Sequence, residues 1–133
     1  MTLRIDRVVE SSLYVDDLEA ARRFYGQVLG LELVGEEPGR HLFFRCGTSM
    51  VLLFLPESTA TGQGAIPAHG AHGPGHLAFA MEIDAAGDWR RMLEARGVEI
   101  ESDVTWPHGG RSLYIRDPSG NSVELVTPQI WGL

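Results

Sequence analysis

The stretch Arg111-Ser-Leu-Tyr-Ile-Arg-Asp-Pro-Ser-Gly-Asn-Ser-Val-Glu-Leu-Val126 reads as a β-hairpin. Two strand-like runs, Arg111–Arg116 and Asn121–Val126, flank Asp117-Pro118-Ser119-Gly120, which has Asp first, Pro second and Gly fourth, the preferences of a type I turn. Within the second run Glu124 stands among Val123, Leu125 and Val126. Burying an unpaired carboxylate is costly, so a glutamate there is paired, bound to a metal, or on the water-facing side of an alternating strand.

The hairpin closes a unit that the chain runs through twice. In the second copy His76–Ile83 is a strand and Asp84 caps a helix. Ala86, Trp89 and Leu93 share one face of that helix, Gly97 stops it, and Val98–Val104 is the next strand. In the first copy Val8–Val15 is a strand, and Asp16-Asp17-Leu18-Glu19 supplies the cap. Leu18, Ala21, Tyr25 and Val28 then recur at helical spacing, and Gly30 ends the helix. Leu31–Val34, Arg40–Cys46 and Met50–Leu55 complete it, with a turn at Gly47-Thr48-Ser49. The expectation is an α+β fold of paired βαβββ modules forming a half-open mixed β-barrel cup with flanking helices. It is expected as a single domain over 1–133, with module 1 at about 5–55, a linker or lid at about 56–75 and module 2 at about 76–128. The linker, Pro56–Gly75, shows no periodicity, and a loop that long is uncommon unless it has a role such as covering a site.

Aligning the strand-to-helix junctions sets Glu10 opposite His76. Each heads its first strand, on the face shared with Ser12 and Tyr14 or with Ala78 and Ala80. Leu77, Phe79, Met81 and Ile83 form the other, apolar face, expected to lie under the helix. Aligning the hairpin turns sets Leu53 opposite Glu124. The repeat therefore points Glu10, His76 and Glu124 at one concavity, an open N/O site for a divalent ion: Mn²⁺, Fe²⁺, Ni²⁺, Co²⁺ or Zn²⁺. Either glutamate would serve as a general base if it leaves the metal. Further candidates for substrate contact are Tyr14, Tyr114, Arg111 and His108, with Arg116 beside Arg111 as a second cation for an anionic group. The linker histidines His69 and His72 read as solvated, Cys46 as a buried thiol beside Phe43 and Phe44, and Trp131 as an interface or pocket wall.

Composition narrows the class. The chain has 133 residues, 44% of them apolar, and a formal net charge of −7 with every cationic side chain an arginine. That charge repels phosphate backbones, so nucleic acid is excluded as a partner. No stretch approaches the roughly 20 apolar residues of a membrane span, and a cytoplasmic location is expected. A lone cysteine leaves no intrachain disulfide.

Four ordered motifs resemble the vicinal oxygen chelate superfamily of glyoxalases, bleomycin-resistance proteins and extradiol dioxygenases: Glu10-Ser-Ser-Leu-Tyr-Val-Asp-Asp-Leu, Phe24-Tyr25 with Leu29-Gly30-Leu31, Gly75-His76-Leu77-Ala78-Phe79, and Asp117-Pro118-Ser119-Gly120-Asn121 leading to Glu124-Leu125. They span roughly residues 5 to 128. The resemblance implies a metal-dependent lyase, isomerase or dioxygenase whose small-molecule substrate chelates the ion through neighbouring oxygens, often in a homodimer. His76 and Glu124 match its usual ligands. Glu10 stands where histidine is commonest, which weakens a dioxygenase assignment, and Leu53 stands where glyoxalase I members carry a carboxylate. The competing class implied by the same resemblance is a metal-free antibiotic-binding protein.

Overall fold

Asp17 turns the chain from its first strand into its first helix. Its backbone is extended (φ −142°, ψ 105°), and its carboxylate accepts a hydrogen bond from the Ala20 amide at 3.0 Å, satisfying one of the orphan donors of the opening turn. A computed structural model describes residues 1–133 and divides them into two compact units, Met1–His72 and Gly73–Leu133.

The first unit contains β1 (Glu10–Tyr14), α1 (Leu18–Ala21) running on as a π-helical segment (Arg22–Val28), β2 (Glu32–Glu37), β3 (His41–Cys46), β4 (Ser49–Phe54) and the single turn α2 (Pro56–Thr59). Its sheet has the order β1-β4-β3-β2, parallel between β1 and β4 and antiparallel elsewhere. The second unit contains β5 (His76–Ala80), a 3₁₀ turn (Ile83–Ala85), α3 (Ala86–Ala95), β6 (Ser102–Thr105), β7 (Arg111–Arg116), β8 (Ser122–Val126) and a closing 3₁₀ turn (Pro128–Trp131). Its sheet repeats the pattern as β5-β8-β7-β6. The fold is thus α+β, two unclosed four-stranded mixed sheets, each made by one βαβββ run. The parallel pairing follows from the connection: only a helix and a hairpin between first and last strand bring them side by side in the same direction.

Each unit has its own core on the helix-bearing face of its sheet. In the first, the wider π-helical turns place both Phe24 and Tyr25 inward (6% and 0% exposed), with Tyr25 tilted against buried Phe44. In the second, Ala86 and Leu93 of α3 are buried over Leu113, Ile115, Val123 and Leu125 of the sheet.

Several sequence expectations shift. No side chain caps α3, and Asp84 instead lies in the 3₁₀ turn through which the chain enters the helix. Because β5 ends at Ala80, Ile83 falls past the strand and is 48% exposed rather than packed beneath the helix. The strand expected from Val98 begins only at Ser102, since the Val98 amide closes the end of α3 by donating to the Leu93 carbonyl at 2.9 Å. Cys46 is half-buried at the hairpin end, not fully enclosed. The linker belongs to the first unit as far as His72 and carries structure of its own, namely α2 and a Gln63–Ile66 bridge. No helix is long and apolar enough to cross a membrane.

Candidate active site

The Asp117–Asn121 turn is the frame on which the second unit's polar face is built. The Gly120 amide donates to the Asp117 carbonyl at 3.0 Å, closing the expected turn. Asp117 Oδ1 accepts from the amides of Ser119 and Asn121, each at 2.9 Å, and Oδ2 accepts from Asn121 Nδ2 at 2.9 Å. Asn121 Oδ1 in turn accepts from the Gly75 amide at 2.7 Å. Both side chains are buried (4% and 2% exposed), so this network pins the residue before His76 to the turn that starts β8. The two chemistry-bearing strands are locked in register by the motif itself.

That register puts Ala78 opposite Glu124 and Glu124 opposite Tyr114, with His76 opposite Ser122 one step along the same face. His76 Nδ1 lies 3.1 Å from the Ser122 carbonyl and 3.2 Å from its hydroxyl. A carbonyl only accepts, so Nδ1 carries a proton, and the ring turns Nε2 toward β8. Nε2 lies 3.3 Å from Glu124 Oε1. A ring nitrogen against a carboxylate oxygen calls for a proton or a cation between them, and no arginine answers: the carboxylate is 6% exposed and its ion-pair partner is His76 alone. An imidazole oriented through its second nitrogen, beside a buried carboxylate, is a donor set that fits a divalent ion.

Glu124 Oε2 accepts from Ser112 Oγ at 2.6 Å, and that hydroxyl accepts from Trp106 Nε1 at 2.9 Å. The Tyr114 ring stacks on His76 with centroids 6.4 Å apart. Its hydroxyl is held protonated above the usual tyrosine range, first by burial and then by the charge and hydrogen bond of Glu124.

The remaining sequence candidates fall elsewhere. Glu10 lies on the first unit, exposed at the head of β1 opposite Met50, with Ser12 and Tyr14 on its face as alternation requires. Within neither unit do three His, Cys, Asp or Glu side chains gather as a metal-holding group. Tyr14 shares a 2.6 Å hydrogen bond with His69 Nδ1, so His69 is a packed linker residue and not a solvated one. His72 is exposed and lines a cavity of about 380 Å³ with His69, Pro56 and Ala68. Arg111 points to the helix side, held by Asp103 at 2.8 and 2.7 Å, which leaves it out of the polar face. Arg116 shares the face of Glu124 and is occupied by Glu101 and the Gly120 carbonyl. His108 is exposed at a turn tip and, with Trp106, Pro107, Ile130 and Trp131, lines a cavity of about 230 Å³. Trp131 lines that cavity while remaining 78% exposed.

Leu53 is not the counterpart of Glu124. The first sheet pairs Glu10 with Met50, Ser12 with Leu52 and Leu13 with Leu53, so Leu52 occupies the matching place and Leu53 faces the core, fully buried. The turns differ in length, two residues between Cys46 and Ser49 against five between Arg116 and Ser122. Aligning turn on turn slips the strand by one residue, which reverses its faces. Ser112, Ser122 and Trp106 went unread in the sequence. Period-two spacing from Tyr114 and Glu124 marks the two serines as face-mates, while Trp106 gave no such signal.

A His–carboxylate pair on the open face of one βαβββ unit, in a chain built of two such units, defines the class as a glyoxalase-type fold. The chain belongs to the Glyoxalase/Bleomycin resistance protein/Dioxygenase superfamily, whose model matches residues 4–125. It is similar to the crystal structure of lactoylglutathione lyase from Agrobacterium tumefaciens, with 42% identity and a TM-score of 0.93 over 97% of this chain and 98% of that one. A superfamily member from Sphaerobacter thermophilus is 27% identical with a TM-score of 0.71, over 94% and 99% of the two chains. A virulence protein from Salmonella typhimurium is 26% identical with a TM-score of 0.72, over 94% and 98%. No curated protein matches the chain.

Proposed function

We propose that the protein is a divalent-metal-dependent enzyme of lyase or isomerase type, acting on a small substrate that offers two neighbouring oxygens. The observation that carries this reading is the buried Glu124 carboxylate, 3.3 Å from a preoriented imidazole nitrogen and without a cationic side chain. His76 and Glu124 are the proposed ligands, with Glu10 proposed as a third. Similarity to a lactoylglutathione lyase favours proton transfer beside a carbonyl over ring cleavage by dioxygen. Glu10 in place of a second histidine points the same way.

A bound Mn²⁺, Fe²⁺, Ni²⁺, Co²⁺ or Zn²⁺ would supply Lewis-acid charge stabilisation worth several kcal/mol. The chain's own residues do the rest. Either glutamate, when free of the ion, accepts the substrate proton. Tyr114 steadies the Glu124 carboxylate through its hydroxyl. A homodimer is proposed as well, supported by the exposed apolar side chains Leu3, Ile5 and Val8 (84%, 94% and 69%), and sedimentation at twice the chain mass is the expected result.

The test is elemental analysis of protein purified without chelator, followed by metal titration. Stoichiometric binding that Glu124→Ala abolishes is expected, with turnover of a hemithioacetal of an α-keto aldehyde ahead of catechols and acyl thioesters. A wild-type chain that binds no metal, or a Glu124→Ala chain that binds it equally well, overturns the reading. Metal-free binding of a bleomycin-type antibiotic would replace it with a sequestering role.

A further inference from the structure

The hydrogen bonds behind Glu124 run in one direction only. The Trp106 indole has a donor and no acceptor, so its contact with Ser112 Oγ at 2.9 Å occupies a lone pair of that hydroxyl. A serine hydroxyl has one proton, and with a donor on one side it sends that proton to its other partner, Glu124 Oε2 at 2.6 Å. Ser112 is 0% exposed, so no water competes for the role. Oε2 is thereby tied down and Oε1 faces His76 Nε2, while the Tyr114 hydroxyl hydrogen-bonds the same carboxylate.

The indole is itself fixed. The Trp106 amide donates to the Gly110 carbonyl at 3.0 Å, and the Gly109 amide returns to the Trp106 carbonyl at 3.1 Å. Gly110 has φ +99°, and a Cβ there would stand 2.5 Å from Ile130 Cγ2 and 2.7 Å from Thr127 Oγ1, so the turn closes hard against the C-terminal segment and admits only glycine. Ile130 and Trp131 then wall the indole's cavity from the same segment.

We infer that Ser112 and Trp106 are positioning residues that set the Glu124 carboxylate with Oε1 presented beside His76. The inference deepens the metal-ligand reading of Glu124 and rests on it for its role in metal affinity. Partners of this kind behind a metal ligand are typically worth about 10–100-fold in metal affinity.

The experiment follows the Trp106 indole N–H resonance, assigned by its loss in Trp106→Phe, together with Zn²⁺ affinity by calorimetry. Without metal, Ser112→Ala and Glu124→Ala are each expected to move the indole resonance. On titration with Zn²⁺ the wild-type resonance moves again. Ser112→Ala and Trp106→Phe should bind Zn²⁺ about 10–100-fold more weakly, and Ser112→Thr, which restores a hydroxyl, should recover most of the loss at a similar melting temperature. Unchanged Zn²⁺ affinity in both Ser112→Ala and Trp106→Phe overturns the positioning role and leaves the metal reading intact. A wild-type chain that ignores Zn²⁺ sinks the metal reading. The hold on the carboxylate is then judged by the metal-free spectra: it stands if Glu124→Ala moves the indole resonance and is overturned if it does not.

Discussion

The two sheets share a register and differ in what they hang on it. In the first, the open face carries Ser12, Leu52 and Phe43 in one row and Tyr14, Phe54 and His41 in the next. In the second, the corresponding rows are Ala78, Glu124 and Tyr114, then Ala80, Val126 and Ser112. The first is an aromatic wall, with His41 stacked on Phe43 at 3.9 Å and edge-on to Phe54 at 5.8 Å. The second surrounds one carboxylate with hydroxyls and an imidazole. At the place where the second unit has Ser112, the first has His41, whose Nδ1 is buried without a hydrogen-bond partner and whose charged form burial disfavours. The lesson is that a carboxylate in a strand depends on its neighbours across the face: Glu124 has Tyr114 in its own row and Ser112 and His76 in the rows beside it, whereas Leu52 at the matching place has Phe43.

The most damaging way to challenge that contrast is to make the first sheet imitate the second. Leu52→Glu puts a carboxylate at the matching register, where the position is 9% exposed and its row-mate across the sheet is Phe43. With no hydroxyl row-mate supplied by β3, a loss of about 2–4 kcal/mol is expected in denaturant unfolding. Adding Phe43→Tyr, the side chain the second unit uses, should recover about 1 kcal/mol of it. A Leu52→Glu protein as stable as wild type would show that the row-mates are not what makes Glu124 tolerable.

The sequence exposed the repeat because its signals are local: the Asp17 cap, the glycine stops at Gly30 and Gly97, and period-two alternation each arise within a few residues. It exposed the pairing of His76 with Glu124 because strands keep faces. What it hid depends on separations the pattern does not encode. The faces of Leu52 and Leu53 were exchanged because hairpin loop length, set by the Asp117–Asn121 network in one unit and by a two-residue turn in the other, is invisible to an alignment of turns. Arg111 looked available for a substrate until its strand neighbour Asp103 claimed it, and His69 looked solvated until its linker folded back to Tyr14.

The helix-side faces differ as well, and more modestly. Where the first unit joins helix to sheet through Phe24, Tyr25 and Phe44, the second uses an ionic clamp in which Asp103 takes both Arg111 from β7 and Arg90 from α3. The Arg111 hydrogen bond, followed by that of Arg90, outweighs burial and brings the Asp103 carboxyl down from 3.8 to about 2. A carboxyl whose folded value lies below its unfolded one adds stability above the unfolded value and loses it as pH falls through the folded one. Wild-type stability should therefore slope downward from about pH 4 to about pH 2. Asp103→Asn should flatten that slope and cost about 1–2 kcal/mol at neutral pH, the partial exposure of the pair reducing its worth. A wild-type curve already flat between those values would remove the clamp from the comparison.

The smallest expected effect tests whether the first unit's aromatic wall also holds its own linker. Tyr14 Oη and His69 Nδ1 are 2.6 Å apart, the two rings lie near Phe54, and the His69 amide donates to the Thr59 carbonyl at 2.9 Å. Tyr14→Phe keeps the ring packing and removes the hydroxyl alone, so about 1 kcal/mol is at stake. Because the bond ties residues 55 positions apart, its loss should show first as local opening, with the His69 amide exchanging several-fold faster while amides of the β3–β4 pair are unchanged. Uniform acceleration across the unit would mean that the hydroxyl supports the whole sheet. No acceleration at His69 would mean that Thr59 and ring packing suffice, and the first wall would then be a surface only, without the tethering role that separates it from the second.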